Sequence, residues 1–129
     1  MLQQYLSFRP NLITLQLSEN AQNIATFGKD FAELVEEIRR SVPDAELILI
    51  GDFWNEEKSK IKRKLAESLN IPFVDLSRIS DVKYMCQLGS YVWGDDGKVH
   101  EVYHEGVSMH PGDNAMEYIA KAIIHCIEV

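Results

Sequence analysis

Glu46-Leu47-Ile48-Leu49-Ile50-Gly51 sets four aliphatic residues in a row between a charge and a glycine. The run does not alternate, so both faces of this strand need cover, as in a parallel sheet lined by helices on both sides. Upstream, after Pro10-Asn11, lies a second such run, Leu12-Ile13-Thr14-Leu15-Gln16-Leu17. Between the two, Phe27, Phe31, Leu34, Val35 and Ile38 recur at helical spacing and stop before Pro43, which predicts a helix with one apolar face. Downstream, Asn55 is placed to cap a further helix, with Glu56 and Glu57 in its first turn and Ile61, Leu65 and Leu69 as its apolar stripe. Pro72-Phe73-Val74-Asp75-Leu76 reads as a third strand. A last helix carries Met116, Ile119, Ala120, Ile123, Ile124 and Ile127 on one face, with Gly112 or Asp113 at its start.

Strand and helix thus alternate through the chain. The pattern predicts one α/β domain over residues 1–129, a three-layer α/β/α sandwich with at least three parallel strands. Sites in such sheets lie beyond the carboxyl ends of the strands. Those ends are Ser18-Glu19-Asn20, Gly51-Asp52-Phe53-Trp54 and Asp75-Leu76-Ser77. From Asp81 to Val107 the helical period is lost. Asp96-Gly97 has the composition of a hairpin turn between Tyr91-Val92-Trp93 and Val99–Tyr103, and the segment reads as an excursion over the top of the sheet.

The bulk composition narrows the function. Of the 129 residues 46% are hydrophobic and 26% charged, the balance of a globular domain. A net charge of −7 argues against nucleic acid as a partner, because phosphate binding needs a basic patch. The cationic run Lys58 to Lys64 has helical spacing and reads as a solvated helix face. Cys86 and Cys126 are far apart, without zinc-site spacing, and read as small buried hydrophobes. There is no basic stretch leading into an apolar run at the N-terminus, so no signal peptide is read and a cytoplasmic location is the default. No apolar stretch approaches the ~20 residues of a membrane span.

Two residues stand where chemistry is possible. His110, in Ser108-Met109-His110-Pro111-Gly112-Asp113, precedes the last helix; its imidazole suits a general base, although spacing alone reads first as a surface histidine in a capping loop. Asn20 follows the first strand, where its amide could donate to a developing oxyanion or simply close a turn. His100 and His104, four apart, offer the outline of a zinc pair but read as solvated hairpin histidines, and no metal is expected. Ser18, without the flanking glycines of a nucleophile elbow, reads as a local cap.

Taken together and in this order, the blocks resemble the SGNH (GDSL-type) serine hydrolases, over about Pro10 to Val129. Leu15-Gln16-Leu17-Ser18-Glu19-Asn20 resembles that family's strand followed by Gly-x-Asn, and His110-Pro111-Gly112-Asp113 resembles its last block. The resemblance implies a flavodoxin-like sheet, Asn20 as oxyanion donor and His110 as general base. It further implies hydrolysis of an O-acyl ester, with an acetyl ester on carbohydrate among the options, and no cofactor. Three departures are visible. The family's Gly-Asp-Ser block with the nucleophile and its second block with the oxyanion glycine are missing and are expected ahead of residue 1, so the domain reads as truncated at its N-terminus. Ser18 stands in place of the third-block glycine. Val107 stands where the family has the aspartate that orients the histidine, and Glu105, Asp75 and Asp113 remain as substitutes.

The rival reading is a catalytically inactive α/β module that binds a ligand or self-associates. In the family fold the Leu12–Leu17 strand is interior, pairing with the missing first strand on one side. Left uncovered, it carries no charge to protect an edge, which predicts a homodimer through residues 1–20.

Overall fold

A computed structural model describes residues 2–79 and 85–127, apart from the side chains of Gln3 and Tyr5. The chain divides into two compact units, residues 1–75 and 76–129.

In the first unit a short helix α1 (Leu2–Leu6) leads into β1 (Leu12–Leu15), α2 (Ile24–Ser41), β2 (Glu46–Ile50), α3 (Glu56–Leu69) and β3 (Phe73–Val74). The three strands form one parallel sheet in the order β1-β2-β3, with Leu12 opposite Glu46, Leu15 opposite Leu49 and Ile50 opposite Val74. The aliphatic run of β2 explains its central place, because Leu47, Ile48, Leu49 and Ile50 are all buried. α2 turns Phe27, Phe31, Val35 and Ile38 into a core that also takes Leu15, Leu47, Leu49 and Ala66. Its N-cap, Asn23, accepts from the Ala25 amide at 3.1 Å, and Arg39 and Arg40 complement the dipole of its last turn.

Asn55 caps α3 as the sequence predicts, accepting from the Lys58 amide at 2.9 Å. Asn70 closes that helix in the left-handed conformation, at φ 53°. The buried face of α3 differs from expectation. Ile61, Leu65 and Leu69 are only half-buried, and the fully covered positions are Lys58, Lys62 and Ala66. The cationic run is therefore split: Lys60 and Lys64 are exposed, as a solvated face has them, while Lys58 and Lys62 are buried. Lysines four apart on one stripe can lay their long stems along the core and carry the ammonium groups to polar atoms at the strand ends.

Two strands are shorter than the sequence suggests. Gln16 and Leu17 have left β1, residues 17–20 form turns, and β3 keeps only two residues of the predicted five. All but one of the lost residues lie at a carboxyl end, where polar residues offer the backbone other partners; the exception is Pro72, which has no amide to give to a ladder.

The second unit opens with a 3-10 turn (Ser77–Ile79). An antiparallel hairpin follows, β4 (Tyr91–Trp93) against β5 (Val99–Glu101), closed at Asp96-Gly97 as predicted, with Gly97 at φ 72°. The start of the expected excursion, at residues 81–84, lies outside the described residues. The last helix, α4 (Asp113–Ile127), buries Ala115 and Ile119 but leaves Met116, Ile124 and Ile127 about half exposed, against the broad buried face predicted for it. Cys86 is buried as expected, and Cys126 is half-buried. Burial, with the carboxylate of Asp113 adding to it, pushes the Cys86 thiol up and keeps it protonated. Among the described residues no helix is long and apolar enough to cross a membrane.

Candidate functional site

β1 and β2 run parallel, so their carboxyl ends share one edge of the sheet. On that edge the loop Ser18-Glu19-Asn20 lies beside Gly51-Asp52-Phe53, and side chains of α3 lock the two together. Lys62 is fully buried, pairs with the Asp52 carboxylate through Oδ1 and donates to the Ile50 carbonyl at 3.0 Å. Burial pushes its ammonium below the ordinary lysine range, an effect that Asp52 and Glu19 oppose and Lys58 reinforces. The Ser18 hydroxyl donates to the same Asp52 oxygen. Lys58, also buried, donates to the carbonyls of Ser18 at 2.8 Å and Glu19 at 3.1 Å. The Glu19 carboxylate in turn accepts from the Phe53 amide. Ser59 completes the lattice, accepting from the Asp52 amide at 2.7 Å.

The aromatic rings of α2 close the network from another side. The Lys58 ammonium stands 5.9 Å from the ring centre of Phe27, and that of Lys62 stands 5.4 Å from Phe31, both within cation–π range. Ser18 itself is strained, with φ 145°, a conformation that favours glycine. This is the position at which the resembled family has glycine. The sequence departs from the pattern there while the backbone keeps the shape glycine would take, and the Asp52 hydrogen bond helps hold the serine in it.

The clamped loop opens into a cleft of about 670 Å³ lined by residues 16–23 and by Thr26, Phe27, Asp30, Phe31 and Leu34 of α2. Asn20 is exposed in that lining, at the carboxyl edge of the sheet. Its loop is fixed from Ser18 and Glu19, so the amide is carried on backbone that has little freedom to move, as an oxyanion donor requires.

His110 belongs to the second unit. Its loop is held by residue 86: the Met109 amide donates to the Cys86 carbonyl and the Cys86 amide to the His110 carbonyl, each at 2.8 Å. Met109 is in the left-handed region, at φ 68°, so the residue just before the histidine is also strained. The exposed imidazole has Nδ1 at 3.4 Å from the Ser108 carbonyl.

His100 and His104 have local tasks. His100 Nε2 lies 2.9 Å from Asp96 Oδ1 across the hairpin turn, and His104 Nδ1 accepts from the Gly106 amide at 2.9 Å. Among the described residues no group of three or more metal-binding side chains forms. Asp75, one of the carboxylates considered for orienting His110, is engaged by Arg63 at 2.6 Å in the first unit.

Sequence reading missed Asp52, Lys58 and Lys62. The available signal was the four-residue spacing of Lys58, Lys62 and Ala66, together with an aspartate two residues after β2. Compared with known protein families, with curated proteins and with solved structures, the chain gives no match.

Proposed function

We propose that this chain is the oxyanion-and-base portion of an SGNH-type ester hydrolase, built on a three-layer, flavodoxin-like α/β/α fold. Asn20 donates to the oxyanion of the tetrahedral intermediate. His110 takes the proton from an attacking serine and returns it to the leaving alcohol. The serine comes from a Gly-Asp-Ser strand outside these 129 residues, which pairs with the free edge of β1. The substrate is a small O-acyl ester, with an acetylated carbohydrate as the preferred class. The observation that carries this reading is the position of Asn20, at the rim of a cleft on the carboxyl edge of a parallel sheet, on a loop fixed by two buried lysines. The test begins with the coding sequence upstream of Met1, read for an in-frame Gly-Asp-Ser strand. The protein that includes it is expected to turn over p-nitrophenyl acetate, with Asn20→Ala lowering kcat about 10²–10³-fold. His110→Ala is expected to lower it at least as far, and these 129 residues alone are expected to stay at background. Equal turnover by the wild type and His110→Ala removes the reading.

A second reading is favoured by a separate observation. Among the described residues β1 pairs with no strand other than β2. Beside it lies an apolar groove of about 630 Å³ lined by Leu2, Leu6, Phe8, Ile13, Leu15 and Leu17, among others. Phe8 is 79% exposed and Leu17 63%. In this reading the chain is an inactive module whose second copy adds its own β1 antiparallel about a two-fold axis, a homodimer through residues 1–20. Light scattering at micromolar concentration is expected to give twice the chain mass, and a Leu17→Lys variant, at an exposed position of the groove, the single mass. A monomeric wild type ends this reading.

A further inference from the structure

We propose that the β4–β5 hairpin is a docking face for an arginine-bearing segment of a partner protein. This face shares no residue with the candidate hydrolase site, and its partner does not depend on that reading. Side chains alternate along a strand, and residues opposite one another in an antiparallel pair share a face. Tyr91 lies opposite Glu101 and Trp93 opposite Val99, so two rings, a valine and one carboxylate stand together. Tyr91 and Trp93 are each about two-thirds exposed, Val99 is half exposed, and Glu101 is exposed as well. The other face carries Val92 and His100, and there the valine is half-buried. Exposed tryptophan and tyrosine gathered on one face are the mark of an interaction surface.

Charge decides which partner fits. From Tyr91 to Glu105 the sequence carries Asp95, Asp96, Glu101 and Glu105 against a single ammonium, Lys98. Lys98 adjoins Val99 and so falls on the opposite side of the pleat. Among the described residues the hairpin's ion pair is that of Asp96 with His100, which leaves the exposed carboxylates of Asp95 and Glu101 without a cation. A phosphate-bearing or otherwise anionic partner is repelled here. A guanidinium is suited, because it lies flat on an indole or phenol ring while its N–H fork pairs with a carboxylate beside that ring. Glu101 stands beside Tyr91 in this way. Tyr91 and Trp93, alternate residues of one strand, are about 7 Å apart, which is also the spacing of alternate side chains in an extended peptide. Two arginines separated by one residue therefore reach both rings, the first next to Glu101 and the second towards the turn that holds Asp95.

The test titrates the ¹⁵N-labelled chain with the peptide acetyl-Gly-Arg-Thr-Arg-Gly-amide, with its Glu-Thr-Glu counterpart and with maltohexaose. The arginine peptide is expected to shift the Trp93 indole N–H and the amides of residues 91–101 at about millimolar concentration, and the other two to leave them in place. Added salt is expected to weaken the response. Trp93→Ala and Glu101→Gln are each expected to raise the concentration needed roughly fivefold. Glu101→Gln keeps the shape of an exposed side chain, so it tests the charge even if the tryptophan variant loses the hairpin. A Glu101→Gln chain that binds the arginine peptide as the wild type does overturns the proposal. So does an equal response to the glutamate peptide, or one to maltohexaose, which would make the face a platform for stacking sugars. No response to the arginine peptide, or one centred outside residues 91–101, overturns it as well.

Discussion

Both units expose large apolar side chains, Phe8 and Leu17 in the first and Trp93 and Tyr103 in the second, but among the described residues only the first buries charged groups. In residues 1–75, two lysines and an aspartate are buried at the strand ends, and each finds a partner. In residues 76–129, large apolar side chains stand in solvent, with Trp93 69% exposed and Tyr103 85%. The first arrangement fixes a loop, because every buried charge must keep its geometry or lose its compensation. The second fixes less, since a hairpin with three residues per strand stands on turn chemistry more than on a core. The contrast locates the preorganised part of the candidate site in the first unit. There the sheet edge and the Ser18-Glu19 turn that leads into Asn20 are tied into one lattice, whereas the loop of His110 has two backbone hydrogen bonds to residue 86.

The most severe way to break this contrast is to remove Lys62. Asp52 Oδ2 is buried with no hydrogen-bond partner among the described residues, so compensation of that carboxylate rests on Oδ1, where Lys62 and Ser18 meet. Lys62→Met keeps the stem and deletes the charge, leaving a buried carboxylate with a hydroxyl alone. The expected loss is about 3–5 kcal/mol in chemical denaturation. The double variant Asp52→Leu/Lys62→Met is expected to recover most of it, because an apolar pair of similar volume carries no unpaired charge. If the single variant loses less than about 1 kcal/mol, the pair is not what holds the loop.

How much of this was legible before the structure follows the same division. Leu47 to Ile50 and the Phe27, Phe31, Val35, Ile38 stripe could be read directly, because burial there is decided by apolar residues whose spacing repeats. The face of α3 could not. Lys58 and Lys62 look like solvent-facing residues until Asp52 and two carbonyls from a loop forty residues earlier arrive to pair with them, and no local pattern encodes that meeting. Asp96-Gly97 was legible because turn chemistry is local. The exposed apolar residues of α4 were not: Met116 and Ile124 have the right spacing for a buried stripe, and the helical period records which side chains share a face but not whether that face is covered. Asn20 was visible as a strand-end amide, but the cleft it borders is made by α2, whose contribution appears only in three dimensions.

A finer test separates the backbone strain at Ser18 from its hydrogen bond. Ser18→Ala keeps the φ of 145° and deletes the donor to Asp52. Ser18→Gly deletes the donor and relaxes the backbone as well. Both lose the hydroxyl, so their difference isolates the conformation, and the glycine variant is expected to be more stable than the alanine one by about 1 kcal/mol. An alanine variant as stable as the glycine one would show that the loop does not impose this conformation in solution. The first unit would then be less rigid than its buried charges suggest, and the contrast with the second unit would weaken.

The smallest effect is expected at the hairpin of the second unit, where the charges are exposed. The hydrogen bond from His100 lowers the Asp96 carboxyl from its ordinary value of 3.8, and the backbone amide of Lys98 adds to this. The sign follows from the lowered value. The folded hairpin favours the carboxylate, so the contribution to stability is present above pH 3.8 and is lost as the pH falls through the lower, folded value. Both partners are in solvent and screened, so the effect is local and does not unfold the unit. The Lys98 amide donates to Asp96 Oδ1 at 3.0 Å, which makes its ¹H resonance a reporter of the carboxyl. In an NMR titration the resonance is expected to move with a midpoint below 3.8, and His100→Ala is expected to bring that midpoint back up towards 3.8. A midpoint that His100→Ala leaves unchanged would mean that the imidazole does not hold Asp96. The turn would then rest on its glycine and its Asp96–Lys98 backbone contact alone, and the second unit would be fixed still less by its charges than the first.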